Sequence, residues 1–432
     1  HEPRRHPAQR GTGMPGRRAR VLVIAYACRP GENSERQVGW RWTGLIQQHH
    51  DVTVLTRETN RQPIEAWIAA GRETGPVPEF IYYDLPAGLA WFKRGERGLY
   101  RYYTLWTLLA VLRCRGMNRD RRWELTHFLT FGTLLWPQFG FLMNTPYILG
   151  PVGGGERIPL ALRGAFGPAG QVKIVLRRLV QKLMVLNPVY LAHLSRATRI
   201  FTRTGETLEM LPRRHHHKTA LLLETAIGPE MLPGAPPERA NATLHIVAVG
   251  RLITSKFNPL FLESLAAFKT RWGRPFRVTL IGDGPERARL EALRDRLGLT
   301  EVEFVGKQPS DVVYATLRAS DIYFSTTMKE GGTWAFFEAI ANHLPIVCLK
   351  VNGPDMIVGD GCGIKVAPLG HAAARDGLAE GLLQLAQDPA LRAELAARAL
   401  AHVERNFNWE RVATTIDTAY AEVLAARPAG SR

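Results

Sequence analysis

The sequence predicts an α/β fold made of two Rossmann-like domains, and three observations carry this prediction. Short β-branched or apolar segments alternate with amphipathic segments of helical length through most of the 432 residues. The alternation stops in a Pro- and Gly-rich segment, residues 228–242, and starts again after it. The chain is also too long for one compact core of ordinary size. Such alternation predicts parallel sheets with helices on both faces.

The predicted strands form two groups, one on each side of the Pro-rich segment. In the first half they are 20–27, 51–57, 80–85, 125–131, 147–152, 199–204 and 220–226. In the second half they are 244–250, 277–282, 302–305, 322–325, 346–349 and 363–366. Helices are predicted between and after them, for example at 259–272, 286–297, 311–319, 333–343, 390–404 and 408–426.

These patterns divide the chain into five parts. We expect a disordered basic tail at 1–19, a first Rossmann-like domain at 20–228, a linker at 229–242, a second Rossmann-like domain at 243–407 and a helix at 408–427. The last helix has an apolar stripe suited to crossing back onto the first domain. Met14 is an alternative natural start. Ligands are expected in the cleft, at the carboxyl ends of the strands.

The composition indicates a polyanionic partner, because the formal net charge is +17 and the pI is near 10.1. No RNA- or DNA-binding signature is visible, so we expect no nucleic-acid partner. A diffuse basic surface with apolar stretches favours the anionic cytoplasmic leaflet instead. Four scattered cysteines without a CxxC pair fit a reducing cytoplasm. We therefore expect a cytoplasmic protein, peripheral on the inner face of the cell membrane.

Three apolar stretches need separate interpretation. Residues 128–155 are uncharged but interrupted by glycines and prolines, which predicts a strand, a short helix and a second strand instead of a membrane span. Residues 100–113 and 172–190 are apolar and basic. Each could lie on an anionic membrane, or each could be a core helix with a solvated basic edge.

The segment 330–338 places two carboxylates around two glycines after a predicted strand. On one helix the glutamates would be about 12 Å apart, at about 1.5 Å per residue. A retaining glycosidase needs carboxylates about 5 Å apart and an inverting one about 6.5–9.5 Å, so this pair is not expected to be an acid and a nucleophile. We expect Glu330 on the loop and Glu338 inside the helix.

Gly331 and Gly332 allow the backbone to approach a ligand closely. Their N–H groups, with the positive end of a helix that begins near Thr333, are suited to binding a diphosphate. The alternative is an ordinary glycine turn before a core helix, with both glutamates solvated.

Other strand ends add candidate donor-binding residues. Arg251 and Lys256 follow the strand that ends at Gly250, where two cations can converge on one diphosphate. Further strand-end residues, against which phosphate or base could lie, are Gly282, Gly284 and Val305.

In this order and spacing, strand-Gly-Arg-x4-Lys, strand-Gly-Asp-Gly-Pro, Val-x-Phe-x-Gly and Glu-x7-Glu-Ala resemble the donor domain of group 1 (family four) retaining glycosyltransferases. The segments 27–40, 52–57 and 147–155 resemble the first domain of the bacterial polysaccharide-assembly branch. The resemblance implies a GT-B architecture, with two Rossmann-like domains facing across a cleft.

The resemblance also implies roles for matching residues. Arg251 and Lys256 would bind the donor phosphates, and Glu330 would contact the donor sugar. Glu338 would accept hydrogen bonds from the ribose hydroxyls. His127 matches a histidine that approaches the sugar ring, although a lone His at an apolar strand end is more often structural.

One loop departs from the family pattern. Asn33, Arg36 and Gln37 stand where the family has two glycines and a proline, whereas Gly31 is kept as a donor-site glycine. Gly39 and Trp40 are kept as well. We expect altered acceptor contacts and retained activity.

The implied function is transfer of a hexose from a UDP- or GDP-sugar to a glycan acceptor, lipid-linked and with retention, in the synthesis of lipopolysaccharide or exopolysaccharide. No Asp-x-Asp occurs, so we expect no metal and no other cofactor. A sugar-nucleotide epimerase and a non-catalytic nucleic-acid binder are the alternatives. A dinucleotide oxidoreductase is disfavoured, because no GxGxxG follows the first strand.

Overall fold

The computed structural model describes residues 18–426, except 32–34, 74, 94–97, 233, 235–236 and 238–242. Most of the predicted tail with Met14, the substituted residue Asn33, most of the linker and position 427 therefore lie outside the described residues.

The first domain is built on a seven-stranded sheet with the order β3-β2-β1-β4-β5-β6-β7, in which every pairing is parallel. Helices cover both faces, which explains why its central strands are nearly continuous apolar runs. The strands are β1 Arg20–Ala25, β2 Asp51–Thr56, β3 Glu79–Tyr82, β4 Leu125–Thr130, β5 Tyr147–Val152, β6 Arg199–Thr202 and β7 Thr219–Leu221.

The second domain has a six-stranded parallel sheet with the order β10-β9-β8-β11-β12-β13. The strands are β8 Leu244–Val249, β9 Phe276–Ile281, β10 Val302–Gly306, β11 Ile322–Ser325, β12 Ile346–Leu349 and β13 Ile364–Val366. In each sheet the order reverses beside the first strand, which opens a crevice at the carboxyl ends. The predicted fold of two Rossmann-like domains is confirmed.

The helices flank the sheets and follow most strands. In the first domain they are α1 Glu35–His49, α2 Arg61–Ala69, α3 Ala87–Ala90, α4 Leu99–Arg121, α5 Pro168–Leu183, α6 Pro188–Arg196 and α7 Gly205–Met210. In the second half they are α8 Pro259–Trp272, α9 Arg287–Arg296, α10 Ser310–Ala319, α11 Trp334–Ala341, α12 Asn352–Val358, α13 His371–Gln387, α14 Pro389–Asn406 and α15 Trp409–Ala425.

Helix α8 shows why these boundaries were visible in the sequence. The side chain of Asn258 accepts a hydrogen bond from the N–H of Leu260, and Pro259 occupies the first helical position. Gly273 ends the helix with a φ of 63°, a left-handed conformation that favours glycine.

The last helix, α15, packs against the first domain. Its buried stripe of Trp409, Val412, Ile416, Tyr420 and Val423 belongs to the apolar core that contains β1, β2 and α1. The helix that follows the second domain therefore packs on the first domain, and α15 couples the two domains.

The uncharged stretch 128–155 folds as the sequence predicted, with β4, a short 3-10 helix at Gly140–Met143 and β5. Among the described residues, no helix is long and apolar enough to cross a membrane.

Candidate functional site

The strand ends of the second sheet interlock through their glycines. A Cβ atom on Gly282, whose φ is 140°, would lie 1.9 Å from the carbonyl oxygen of Gly250. A Cβ on Gly284 would lie 2.4 Å from the carbonyl oxygen of Leu252. The N–H of Gly282 also donates to the carbonyl of Gly306 over 2.8 Å. Backbone packing therefore requires the glycines at 282 and 284, whatever ligand they also meet.

The loop that carries Lys256 is tied to the loop after β11. The N–H of Met328 donates to the carbonyl of Ser255 over 2.8 Å, and the hydroxyl of Thr326 donates to the carbonyl of Lys256 over 3.2 Å. The ammonium Nζ of Lys256 lies 2.6 Å from Oε2 of Glu330. Two predicted site residues, 74 positions apart in the chain, thus form an ion pair in the cleft.

Arg251 lies at the start of the same loop, directly after β8, and its side chain is exposed. The N–H of the next residue, Leu252, donates to the carbonyl of Asp283 over 2.9 Å. This bond holds the loop on the neighbouring strand end. Both predicted cations therefore belong to one anchored loop at the carboxyl edge of the sheet.

The glycine loop ahead of α11 meets the first domain. The N–H of Gly332 donates to Oε1 of Glu224 over 3.2 Å. A Cβ there would lie 2.2 Å from the hydroxyl of Thr225, and one on Gly331 would lie 2.9 Å from Cδ of Arg203. The glycines thus permit close approach, and the N–H group expected to bind an anion binds a carboxylate.

The remaining predicted donor-site residues surround this loop. Thr333 is the N-cap residue of α11, and Glu338 lies inside that helix with only 5% of its surface exposed. Glu330 is on the loop, so the two glutamates occupy the separate elements that the spacing predicted. The carbonyl of Val305 accepts a hydrogen bond from the side chain of Gln308 over 2.6 Å.

His127 does not lie where its expected role requires. It is fully buried in β4, with Nδ1 2.8 Å from the hydroxyl of Tyr420 and Nε2 2.7 Å from the carbonyl of Gly150. Burial lowers its pKa to about 4. Both ring nitrogens are engaged in the core, so the prediction that His127 approaches the sugar is wrong and its role is structural.

The loop between β1 and α1 contains the family departures. Gly31 has a φ of 77° and packs against Trp67, and its N–H donates to Oε1 of Gln37 over 3.0 Å. Gln37 therefore closes the loop from within. Gly31 and Gln37 open onto a groove of about 430 Å³ beside Trp40 and Arg41. This groove lies on the first domain, along α1.

A charge cluster that the sequence did not reveal lies at the carboxyl edge of the first sheet. Nη1 of Arg203 lies 2.9 Å from Oε1 of Glu224, and its Nη2 donates to the carbonyl of Gly132 over 2.5 Å. The N–H of Gly132 donates to Glu35 over 3.2 Å. Burial raises the pKa of Glu35, although the charge of Arg203 opposes this effect.

Glu156 completes the cluster. Its Oε2 accepts the N–H of Gly154 over 2.8 Å, and its Oε1 accepts the hydroxyl of Thr207 over 3.2 Å. Burial alone would raise its pKa, but the charge of Arg203 and the hydrogen bond from the N–H of Gly154 lower it. One arginine therefore compensates carboxylates that follow different strands.

Lys329, the neighbour of Glu330, is a second missed residue. Burial lowers its pKa to about 8, with a further contribution from the charge of Arg177.

The position of the cluster residues in the sequence could have revealed them as candidates. Glu156, Arg203 and Glu224 each closely follow a strand of the first sheet. Charged groups at such strand ends are candidates in any doubly wound domain.

The described residues hold no group of three His, Cys, Asp or Glu side chains placed to bind a metal ion.

A comparison with protein families identifies the second domain. The model of the family described as glycosyl transferases group 1 matches residues 237–402. The match covers the loops of Lys256, Gly282 and Glu330, and it confirms for the second domain the family that the motifs predicted.

Two curated relatives come from Rhizobium meliloti (strain 1021). The lipopolysaccharide core biosynthesis glycosyltransferase LpsE is 28% identical over 184 residues, which cover 42% of this chain and 50% of LpsE. LpsD, of the same description, is 34% identical over 171 residues, 38% of this chain and 47% of LpsD. The chain thus spans about half the length of these relatives in the matches.

A solved structure extends the likeness to the whole fold. Anabaena Alr3699/HepE, in complex with UDP and glucose, superposes with a TM-score of 0.57 over 94% of this chain and 99% of its own. The sequences are 12% identical, so this likeness concerns the fold.

Proposed function

We propose that this chain, whose second domain belongs to the group 1 glycosyl transferases, moves a hexose from a nucleoside diphosphate sugar to a glycan acceptor with retention. The observation that carries the proposal is the contact of Lys256 with Glu330 beside the Gly331–332 loop. A cation for phosphate, a carboxylate for sugar hydroxyls and the backbone of a glycine loop meet at one edge of the donor domain.

The donor diphosphate would bind between the two loops. Arg251 and Lys256 supply positive charge, and the N–H of Gly332 supplies a donor that Glu224 occupies in this structure. An incoming phosphate would take the place of that carboxylate. Because the leaving diphosphate gains charge at the transition state, such pre-placed cations and N–H groups lower the barrier.

The chemical step exchanges one bond for another. The bond between the anomeric carbon and the phosphate oxygen breaks, and a bond to the acceptor oxygen forms on the same face of the sugar. The proton of the acceptor hydroxyl passes to the departing phosphate. Glu330 would orient the sugar and Glu338 the ribose, while Arg251 and Lys256 take the charge-neutralising role that Mg²⁺ has in other transferases.

The relatives support the choice of substrates. HepE is described as binding UDP and glucose, which favours a UDP-sugar, with a GDP-sugar as the second candidate. LpsE and LpsD are described as lipopolysaccharide core enzymes, which favours a lipid-linked glycan of a cell-surface polysaccharide as the acceptor. The comparisons give no support to the epimerase alternative.

A lipid-linked acceptor implies a place at the membrane. We propose that the protein works at the cytoplasmic face of the cell membrane, as a peripheral protein. The net charge of +17 supports attraction to anionic lipid head groups.

The test is an assay of purified protein with UDP-, GDP- and ADP-sugars, with and without a lipid-linked glycan acceptor. We expect acceptor-dependent release of the nucleoside diphosphate, a product with the donor's anomeric configuration by NMR, and no loss of rate with EDTA. Formation of an epimerised nucleotide sugar without acceptor would support the epimerase instead.

A further inference from the structure

Helix α5 presents an apolar face to the outside of the first domain. Eight exposed large apolar side chains fall within residues 172–186, and Leu186 alone has 72% of its surface exposed. The side chains on this exposed face of α5 include Val172, Val175, Leu176, Leu179 and Leu183. Single exposed leucines are ordinary, but a contiguous face of this size marks an interaction site.

The same region is strongly basic. Residues 157–205 contain nine Lys and Arg residues and no Asp or Glu. On α5 the cations are Lys173, Arg177, Arg178 and Lys182, and they share the helix with the apolar face. A second copy of this surface would therefore meet it with like charges, whereas an anionic surface would be attracted.

The apolar face continues beyond the helix. Trp136 lines one hollow together with Met184, which follows α5, and another together with Trp91. Trp91 has 77% of its surface exposed, and Trp136 stacks on Tyr100 with ring centres 4.9 Å apart. Three segments of the first domain thus form one surface, with aromatic rings of the kind that sit at lipid head groups.

The inner side of α5 reaches the cleft. The side chain of Gln181 donates to the carbonyl of Gly154 over 2.6 Å, and Arg178 donates to the carbonyl of Ile158 over 2.8 Å. Gly154 belongs to the glycine-rich end of β5, next to the charge cluster around Arg203. A surface bound by α5 would therefore lie beside the cleft.

We propose that α5, with Met184–Leu186, Trp91 and Trp136, is the surface that docks on an anionic phospholipid bilayer. The helix would lie in the plane of the membrane, with its apolar side chains among the acyl chains and its cations at the phosphates. This inference rests on the membrane association proposed above and assigns it to one surface. That surface would present the cleft to an acceptor held in the bilayer.

The test is sedimentation of the full chain with vesicles of phosphatidylcholine, with and without phosphatidylglycerol. We expect binding that requires phosphatidylglycerol and that falls at least about tenfold in Leu176→Glu/Leu179→Glu, since two exposed leucines that would enter the bilayer are lost. The matched control is Leu369→Glu, an exposed leucine of the second domain. The variant Lys173→Gln/Lys182→Gln should weaken vesicle binding through the loss of charge alone. It replaces the leucine variant in the test if that variant fails to fold.

Unchanged vesicle binding in both double variants would overturn the proposal. So would a dimer of the wild type that the leucine variant dissociates, because α5 would then be an interface between copies. Transfer to a soluble acceptor should be unchanged in these variants. Loss of vesicle binding with intact transfer supports the docking surface, whereas absent transfer in the wild type contradicts the proposed function alone.

Discussion

The two sheets present their carboxyl edges to the same cleft, but they use charge differently. In the second domain, Lys256 and Glu330 form one ion pair, with about a quarter of the lysine side chain and a fifth of the glutamate side chain exposed. In the first domain, Arg203 lies among Glu35, Glu156 and Glu224, and the side chain of Glu224 is only 8% exposed. The first arrangement is open to a ligand, and the second is largely closed by the protein itself.

Charge at a strand end can therefore serve either ligand binding or the stability of the fold. A partly exposed pair contributes little to folding, because water screens it. An arginine whose carboxylate partners are buried, as Glu156 and Glu224 are, is costly to remove, because those carboxylates then lose their counter-charge. We therefore expect substitutions in the two domains to damage different properties.

The largest expected effect is on stability. Arg203→Ala should lower the free energy of unfolding by about 3–5 kcal/mol, because it leaves buried carboxylates unpaired. Denaturant unfolding measures the change, and Arg203→Lys should recover part of it. A loss below about 1 kcal/mol in Arg203→Ala would contradict the closed character of this cluster.

The next effect is on the reaction. Lys256→Ala should reduce sugar transfer roughly 10²–10³-fold, the range for removing one pre-placed stabilising group. Its free energy of unfolding should change by less than about 1 kcal/mol. Steady-state transfer assays test this, with Lys269→Ala as control, because Lys269 forms a comparable pair with Glu301 in the same domain. Equal losses in both variants would remove the special role of Lys256.

A third effect follows from the buried histidines. Burial lowers the pKa of His127 and of His193 to about 4 from an ordinary value of 6.5. Below pH 6.5 the unfolded chain takes up protons that the folded protein does not, so stability falls as the pH drops toward 4. Each histidine should contribute roughly 3 kcal/mol to that loss.

Unfolding free energies at pH 7 and pH 4.5 measure this effect. The difference between the two values should be smaller in His127→Gln than in the wild type. If the wild type and His127→Gln lose the same free energy of unfolding between pH 7 and pH 4.5, then His127 is protonated in the folded protein, contrary to its burial.

The smallest effect concerns the contact between the domains. Glu224→Gln removes the negative charge that occupies the N–H of Gly332, so nucleoside diphosphate should bind a few-fold more tightly. Stability should fall by about 1 kcal/mol or more, because Arg203 loses one partner. Calorimetric titration checks the affinity, and weaker binding would indicate that Glu224 helps to hold the donor.

The fold was largely visible in the sequence because its signals are local. Apolar runs of strand length and helix caps such as Asn258 depend on neighbours within a few positions. Each described strand starts within one residue of its predicted start, although β3 and β7 end three and five residues before their predicted ends. The loop of Glu330 and the helix of Glu338 were predicted correctly for the same reason, since a strand, two glycines and an apolar helix follow each other directly.

The cluster around Arg203 could not be predicted in this way. Its members come from α1, from the end of β5 and from the loops after β6 and β7, so only the folded sheet brings them together. The prediction for His127 was wrong for a related reason. The motif matched a histidine at this position, but the partners that bury it include Tyr420 on the last helix, 293 residues away.

Equilibrium binding measurements show whether the Lys256 loop binds the donor diphosphate. We would titrate UDP and GDP into wild type, Lys256→Ala and Lys269→Ala and measure the heat. We expect Lys256→Ala to bind the better nucleotide at least about tenfold more weakly, because a charge-assisted hydrogen bond is lost. Lys269→Ala should bind as wild type does. Equal affinity in wild type and Lys256→Ala would show that Lys256 does not bind the diphosphate.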